Sequence, residues 1–450
     1  MNPLLLKKYN IAAPRYTSYP TVPYWQKEKP SEQAWIKAAQ VAFKESKEIS
    51  LYIHLPYCEN LCTYCGCNKR ITKNHKVETP YIQTVLKEWD LYLQKLPDQP
   101  IIRELYLGGG TPTFFSPESL NFLLEGIFKG AEIAKKHNFS FEAHPSSTTS
   151  AHLVALKSHG FNRISIGVQD FDEKILKAIN RKQTYKQVED VVLEAQKMGF
   201  DSLNFDLIFG LPFQTKANIR ANMKKLEYLR PDRIAFYSYA HVPWLYPGQR
   251  AYSEADLPKG EAKRALYNLG KALLLEMGYE EIGFDHFALP TENLSIAQKN
   301  GNLHRNFMGY TPFNTQLNIA LGVSAISDSW TAFVQNEKKI EDYKARVNQG
   351  ELPFFRGHLL NKDDQVLRKH ILQLICQFET DWVDEADRCE GLYAAFDRLE
   401  ELEKDGLIER APFQIKVTEI GKPFIRNICL ALDTYYWAKQ PKGQLFSQVV

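Results

Sequence analysis

Four cysteines fall within ten residues, in the run Cys58-Glu-Asn-Leu-Cys62-Thr-Tyr-Cys65-Gly-Cys67, and the apolar stretch Tyr52–Leu55 leads into it. Cys58, Cys62 and Cys65 have the spacing C-x3-C-x2-C. A cubane [4Fe–4S] cluster has four irons, and thiolates are its usual ligands. Three thiolates leave one iron open, able to bind a small molecule and pass it an electron. Structural zinc instead wants a closed tetrahedral site, usually built from two separated knuckles. All four thiols here crowd together with no second knuckle downstream, so iron is preferred to zinc or to a disulfide. Cys67 is surplus to the triad. It could be a fourth ligand, a redox group or a buried small hydrophobe.

Other residues could serve a ligand at such a cluster. Gly108-Gly-Gly-Thr-Pro-Thr-Phe114 follows an apolar run. Glycines let backbone amides approach a ligand closely and adopt positive φ. A tight β–α turn or a phosphate nest would use the same residues. Glu142, in Phe141-Glu-Ala-His-Pro145, ends a strand candidate, where it could accept from an amino group or a ribose, or form a surface ion pair. Gln169 in Ser165–Asp170 and Asp206 in Asn204–Pro212 have the same placement. Asp206 interrupts an apolar run, and a buried carboxylate is costly unless paired. Arg181 could be an exposed loop arginine or a bidentate clamp for a carboxylate. Tyr52 defaults to core.

The elements that must position these groups alternate. Strand candidates are 50–55, 104–107, 139–143, 163–168, 202–209 and 233–239. Helical patterns cover 80–95, 116–137, 150–159, 184–198 and 216–226. Such alternation implies right-handed crossovers and a parallel sheet. The α/β chain has no early G-x-G-x-x-G fingerprint, so about six β/α units predict a partial, TIM-like barrel. Its chemistry then sits at the C-terminal strand ends. Residues 1–47 are expected to form an extended N-terminal arm lying on the barrel, with Ala13–Tyr24 rich in Pro and aromatics. Residues 48–330 form the catalytic barrel and its extension, and 331–450 a mainly helical C-terminal domain. Helix candidates 364–378 and 391–404 and a hairpin over 405–418 give that domain a winged-helix look. The helix holding Arg398, Glu400, Glu401, Glu403 and Lys404 is too acidic to track phosphates, so no nucleic acid is expected.

Composition sets the outer limits. The chain has 450 residues, 44% hydrophobic and 24% charged, with a net charge of +3. That charge is too small to imply a polyanionic partner. No apolar run reaches the ~18 residues of a membrane span. The start Met1-Asn-Pro-Leu-Leu-Leu-Lys-Lys8 has no long apolar region, so no secretory signal is expected. Seven cysteines, with Cys376, Cys389 and Cys429 isolated, fit a reducing compartment, and a cytoplasmic location is expected.

The cysteine spacing resembles that of the radical S-adenosylmethionine (SAM) enzymes. More narrowly, the chain is similar to the oxygen-independent coproporphyrinogen III dehydrogenases, also called oxidases. The likeness rests on Pro14–Pro20, the Cys58–Cys67 loop with its Cys65-Gly-Cys67-Asn ending and Gly108–Thr113. It also rests on Gly160–Phe171, His304–Tyr310, Gly322–Ile326 and Ile425–Cys429. The related haem-chaperone branch typically lacks a cysteine at the position of Cys67. The resemblance implies that Cys58, Cys62 and Cys65 hold the cluster and that two SAM molecules bind side by side. Tyr52, Gly109, Glu142 and Ile326 would touch the cluster-bound one. Tyr64, Gly110, Thr111, Gln169, Arg181, Asp206 and Ala240 would touch the second. One departure is visible: Glu142-Ala-His-Pro-Ser146 stands where the family often has Glu-x-Asp-Pro-Arg.

The implied reaction is oxidative decarboxylation of two propionates of coproporphyrinogen III, giving protoporphyrinogen IX for haem. The catalytic candidates are Cys67, Arg15 and Arg305. The two arginines suit substrate carboxylates, or equally a structural ion pair. A donor such as flavodoxin or ferredoxin, an unidentified electron acceptor and a monomeric chain are expected. The rivals are a radical SAM methyltransferase that opens haem and a haem-binding or trafficking protein without turnover.

Overall fold

The computed structural model describes residues 3–441, apart from 27 and 29, and residue 446. Six strands, β1 (Glu48–Leu55), β2 (Ile101–Gly109), β3 (Glu132–Ala143), β4 (Arg163–Gln169), β5 (Ser202–Phe209) and β6 (Arg233–Ser238), pair in parallel and in chain order. Helices cross back between them, as in Glu78–Leu93 and Tyr185–Lys197. Alternation along each strand sends Leu51, Ile53, Leu105 and Leu107 into the core beneath the helices. The opposite face carries Tyr52, Tyr106, Glu142, Asp206 and Tyr237. This is the expected partial barrel.

The sheet continues beyond the barrel. A hairpin, β7 (Glu280–Ile282) and β8 (His286–Ala288), adds to β6. At the other edge β9 (Leu317–Leu321) pairs in parallel with β1. Antiparallel β10 (Ile326–Asp328), β11 (Ala332–Asn336) and β12 (Phe354–Leu359) follow. The mainly helical pattern expected from residue 331 therefore begins later. The expected 330/331 boundary falls between β10 and β11, inside the sheet. Val334 and Phe354 are buried against the barrel core, so tertiary pairing holds this region extended.

Two other expectations change. The helix expected over 116–137 stops at Lys129 with Gly130 as its cap, and residues 132–138 instead open β3. Their first rungs pair Glu132 and Ile133 with Ile101 and Ile102. The arm is also not extended throughout. Ser31 caps a helix, Glu32–Glu45, whose Trp35, Ala39, Ala42 and Phe43 fall on one buried stripe.

The arm's aromatic part does not simply lie on the barrel. Tyr9, Tyr16 and Tyr19 join a second core with Leu367, Ile371, Leu399 and Ile428 of the C-terminal region. Tyr16 donates to Asp433 at 3.0 Å, and Arg426 donates to the carbonyls of Ala13 and Pro14. In that region helix Lys362–Gln377 is followed by Glu379–Asp381, which pairs with the hairpin Ile408–Ala411/Gln414–Val417. The second expected helix is broken into Glu390–Tyr393 and Phe396–Lys404. No helix among the described residues is long and apolar enough to cross a membrane.

Candidate active site

The chain leaves β1 at Leu55 and forms the cysteine loop over the C-terminal end of the barrel. Its root is fixed by packing. Tyr57 is buried against Tyr81, Phe114 and Phe115, and Tyr57–Cys58 pairs with Arg70–Ile71. The glycine loop after β2 is stitched to it: Gly110 N donates to Leu55 O at 2.8 Å, and Thr111 N to Tyr57 O at 3.0 Å. A Cβ at Gly110 would lie 2.6 Å from the Pro56 backbone, so the two loops meet only because this residue is glycine. Gly109 has φ +117°, which also selects glycine.

Together the loops wall a cavity of about 280 Å³. Cys58, Cys62, Cys65 and Cys67 line one side, Gly109–Thr111 another, and Glu142, Gln169 and Asp206 its floor. Donors attend the thiols. Thr111 Oγ1 donates to Cys58 Sγ at 3.3 Å, and Arg181 Nη1 lies 3.6 Å from Cys62 Sγ. Lys69 Nζ donates to the Cys65 carbonyl at 3.1 Å. Burial raises the Cys58 thiol to about 11. The Cys65 thiol falls to about 6, first through a hydrogen bond from Cys67 and then through Lys69, against the effect of burial. Cys67 is correspondingly raised, chiefly by that same bond. It is nonetheless open to the cavity.

This donor set fits a multi-iron cluster. Cys58, Cys62 and Cys65 line one cavity together, and thiolates are the usual ligands of such a cluster.

Glu142 Oε1 accepts from Tyr106 Oη and Oε2 from Gly109 N, both at 3.1 Å. Burial, then Asp206, pushes its carboxyl to about 7. Asp206 accepts from Ser165 Oγ at 3.1 Å and Asn204 Nδ2 at 2.9 Å, and burial raises it to about 6. A cationic ligand placed beside these two acids would favour their ionised forms. Gln169 reaches the cavity through irregular backbone. The β4–β5 register slips between Gly167 and Gln169, and Gln169 has φ +67°. Such bulges re-aim side chains beside sites. Arg181 is buried, not exposed. It donates to Gly167 O, Gln183 Oε1 (2.8 Å) and Tyr64 Oη (3.3 Å).

Thus Tyr64, Gly109, Gly110, Thr111, Glu142, Gln169, Arg181 and Asp206 share one cavity with the cysteines. Four candidates and one partial case stand apart from its lining. Tyr52 lies behind it, bonded to His54 Nδ1 at 2.9 Å and stacked on Tyr106. Ala240 lines a neighbouring cavity and is linked to Tyr64 through Gln249, which donates to both carbonyls at 3.2 Å. Ile326 begins β10 and packs beside Trp25 and Phe333. Arg305 is buried under the barrel mouth, donating to Tyr310 Oη at 3.1 Å. Arg15 pairs with Asp285 at 3.2 Å, its guanidinium over the ring of Tyr237, a cavity residue. Tyr237 escaped the sequence reading, although its alternation within β6 points it inward. His144 also lines the cavity. Its Nδ1 meets Ser146 N and Oγ at 3.2 and 2.9 Å, and burial, then Arg181, lowers it to about 3. A neutral imidazole and a hydroxyl therefore replace the acid and base usual there.

Residues 52–226 match the family model of the Radical SAM superfamily. The oxygen-independent coproporphyrinogen III oxidase of Synechocystis sp. is 36% identical over 99% of this chain and 97% of its own length. That of Escherichia coli is 36% identical over 99% and 98%. The solved structure of the coproporphyrinogen III oxidase from Escherichia coli, titled a radical SAM enzyme, superposes with a TM-score of 0.89. It is 34% identical and covers 96% of this chain and 98% of that one. The chain belongs to the oxygen-independent coproporphyrinogen III oxidase family.

Proposed function

We propose that the chain converts two propionate side chains of coproporphyrinogen III to vinyl groups without oxygen, giving protoporphyrinogen IX. The observation that carries this is one cavity joining the three-cysteine loop to the glycine loop and two buried acids, in a chain whose full-length relatives bear that enzyme name. Cys58, Cys62 and Cys65 would hold three irons of a [4Fe–4S] cluster. When bound, the cluster and SAM would supply the radical chemistry that removes hydrogen from a substrate propionate. The substrate then loses carbon dioxide and one electron, which passes to an acceptor.

The chain's own residues bind and orient. Glu142, held by Tyr106 and Gly109, offers a carboxylate to the amino group of the cluster-bound SAM. Gly109 and the stitched glycine loop keep that ligand against the cysteines. Tyr52 supports this wall from behind, and Ile326 lies on the flank nearest β9. A second SAM would lie toward Tyr64, Gly110, Thr111, Gln169, Arg181 and Asp206, with Ala240 behind Tyr64. Cys67 and His144 face the space that remains. A flavodoxin or ferredoxin donor and a monomeric chain belong to the same reading. The relatives' names favour decarboxylation over haem opening or haem carriage.

The test is anaerobic incubation of coproporphyrinogen III with SAM, a low-potential reductant and the reconstituted chain. Mass spectrometry should find a product lacking two carbon dioxides and four hydrogens. A methylated linear tetrapyrrole, or unchanged substrate beside bound haem, would overturn the assignment.

A further inference from the structure

A second, smaller cavity measures about 40 Å³. Phe209 and Ser238 line it and end β5 and β6, so it opens at the same end of the barrel. Its wall is rich in cations. Arg15, Arg264, Lys271, Lys422 and Arg426 face it, against only two carboxylates, Glu281 and Asp285. Those acids are engaged: Glu281 accepts from Lys271 at 2.5 Å and from Tyr267 at 3.1 Å, and Asp285 from Arg15. Lys422 pairs outward with Glu419. Arg264 forms no salt bridge among the described residues, although Glu281 and Asp285 act on its charge. Its guanidinium lies over the Tyr267 ring at 4.7 Å, and its Nε is buried without a hydrogen-bond partner among the described residues.

The local field is positive. Burial lowers the Arg426 guanidinium to about 9, and Arg15 adds to that effect. Lys263, just outside, falls to about 8 through burial and then through Arg15 and Arg426. Cations gathered away from water are costly until an anion joins them. The cavity admits a carboxylate but is far too small for a porphyrin ring. Strand alternation puts it on the other face of the sheet from the main cavity, Phe209 and Ser238 facing the one and Ile208 and Tyr237 the other; Arg15 links the two, lining the smaller cavity while its guanidinium covers the Tyr237 ring.

We propose that this cavity is a carboxylate subsite that takes one of the substrate's two non-reacting propionates. The inference rests on the tetracarboxylate substrate proposed above. With one propionate in the main cavity, a propionate on another ring is carried over the ends of β5 and β6 toward Arg15 and then Arg264. Guanidinium forks suit that group better than ammonium ions do.

Coproporphyrin III, the stable oxidised and fluorescent form of the substrate, serves as the probe. Mesoporphyrin IX keeps propionates only at the non-reacting positions. Binding of both to the full, cluster-loaded chain is measured by fluorescence, with iron content and circular dichroism reporting the fold. Arg264→Gln should weaken both about tenfold or more, the effect of losing one charge-assisted hydrogen bond. Arg15→Gln, made separately, should act in the same direction. If the parent binds coproporphyrin III and both folded variants bind it equally well, the subsite is overturned. Weakening for coproporphyrin III alone would also overturn it, because the contact would then be with a reacting propionate. A parent chain that binds neither porphyrin removes the substrate reading itself, and the subsite with it.

Discussion

Glu88 is a fully buried carboxyl group in helix Glu78–Leu93, remote from the cysteines. It accepts from Gly322 N at 2.8 Å and Tyr343 Oη at 2.6 Å on Oε2, and from Asn336 Nδ2 at 2.6 Å on Oε1. One side chain thus ties the barrel to β9, β11 and the helix after them. Burial outweighs these donors and raises its carboxyl from 4.5 to about 7. A group whose pKa is raised on folding contributes fully below its unfolded value, and that contribution is lost as pH rises through the folded one. Here the window runs from 4.5 to about 7, and the displacement corresponds to about 3 kcal/mol. At pH 5 the neutral acid can satisfy all partners, because the Tyr343 hydroxyl can turn to accept. In Glu88→Gln the amide must face one of two fixed donors. That loses a bond and strands a buried donor, at about 2 kcal/mol. By pH 8 ionisation removes the parent's advantage. Urea denaturation of the metal-free, reduced chain should find Glu88→Gln less stable by about 2 kcal/mol at pH 5, the gap closing toward pH 8. A gap constant from pH 5 to 8 refutes the titration. A carboxyl depressed by its three donors would likewise leave the gap constant over this range, because its window lies below 4.5.

Two further outcomes concern the site. Cys67→Ser should retain about four irons per chain after anaerobic reconstitution, because three thiolates suffice; loss of the cluster spectrum from a folded variant makes Cys67 a ligand. Glu142→Gln sets an amide against Tyr106 and Gly109 and removes the charge offered to SAM, so equilibrium binding of SAM should weaken about ten- to a hundredfold with iron content unchanged. Equal SAM affinity would detach Glu142 from the ligand.

Strong local periodicity made much of the barrel legible. β5 begins and ends at the expected Ser202 and Phe209, and β4 and β6 deviate by one residue at their ends. Those runs are apolar, β-branched or aromatic, and are bounded by turn residues. The misses have a common cause. Ala131–His137 is compatible with a helix by composition, but pairing with Ile101 and Ile102 holds it extended. β10–β12 were invisible because an antiparallel extension announces itself only through its partners. At the site, the cysteine and glycine spacings were readable because they are local. Tyr237 and the cationic cavity were not, because β5, β6, the arm and residues 422–426 meet there from distant parts of the chain. The burial of Arg181 was hidden for the same reason: it depends on Gly167, Tyr64 and Cys62.

The contacts of the arm bear on the order in which the molecule is made. Ala13, Pro14, Tyr16 and Tyr19 find their partners at Arg426, Asp433 and Thr434, more than 400 positions later. During synthesis the barrel strands emerge and can pair with near neighbours, whereas the arm must wait for almost the whole chain. A segment translated early is therefore among the last to be seated. Arg15, beside the barrel mouth, reaches its place only when the far end of the polypeptide has arrived, so a product cut short before Arg426 would carry a barrel whose mouth is unfinished.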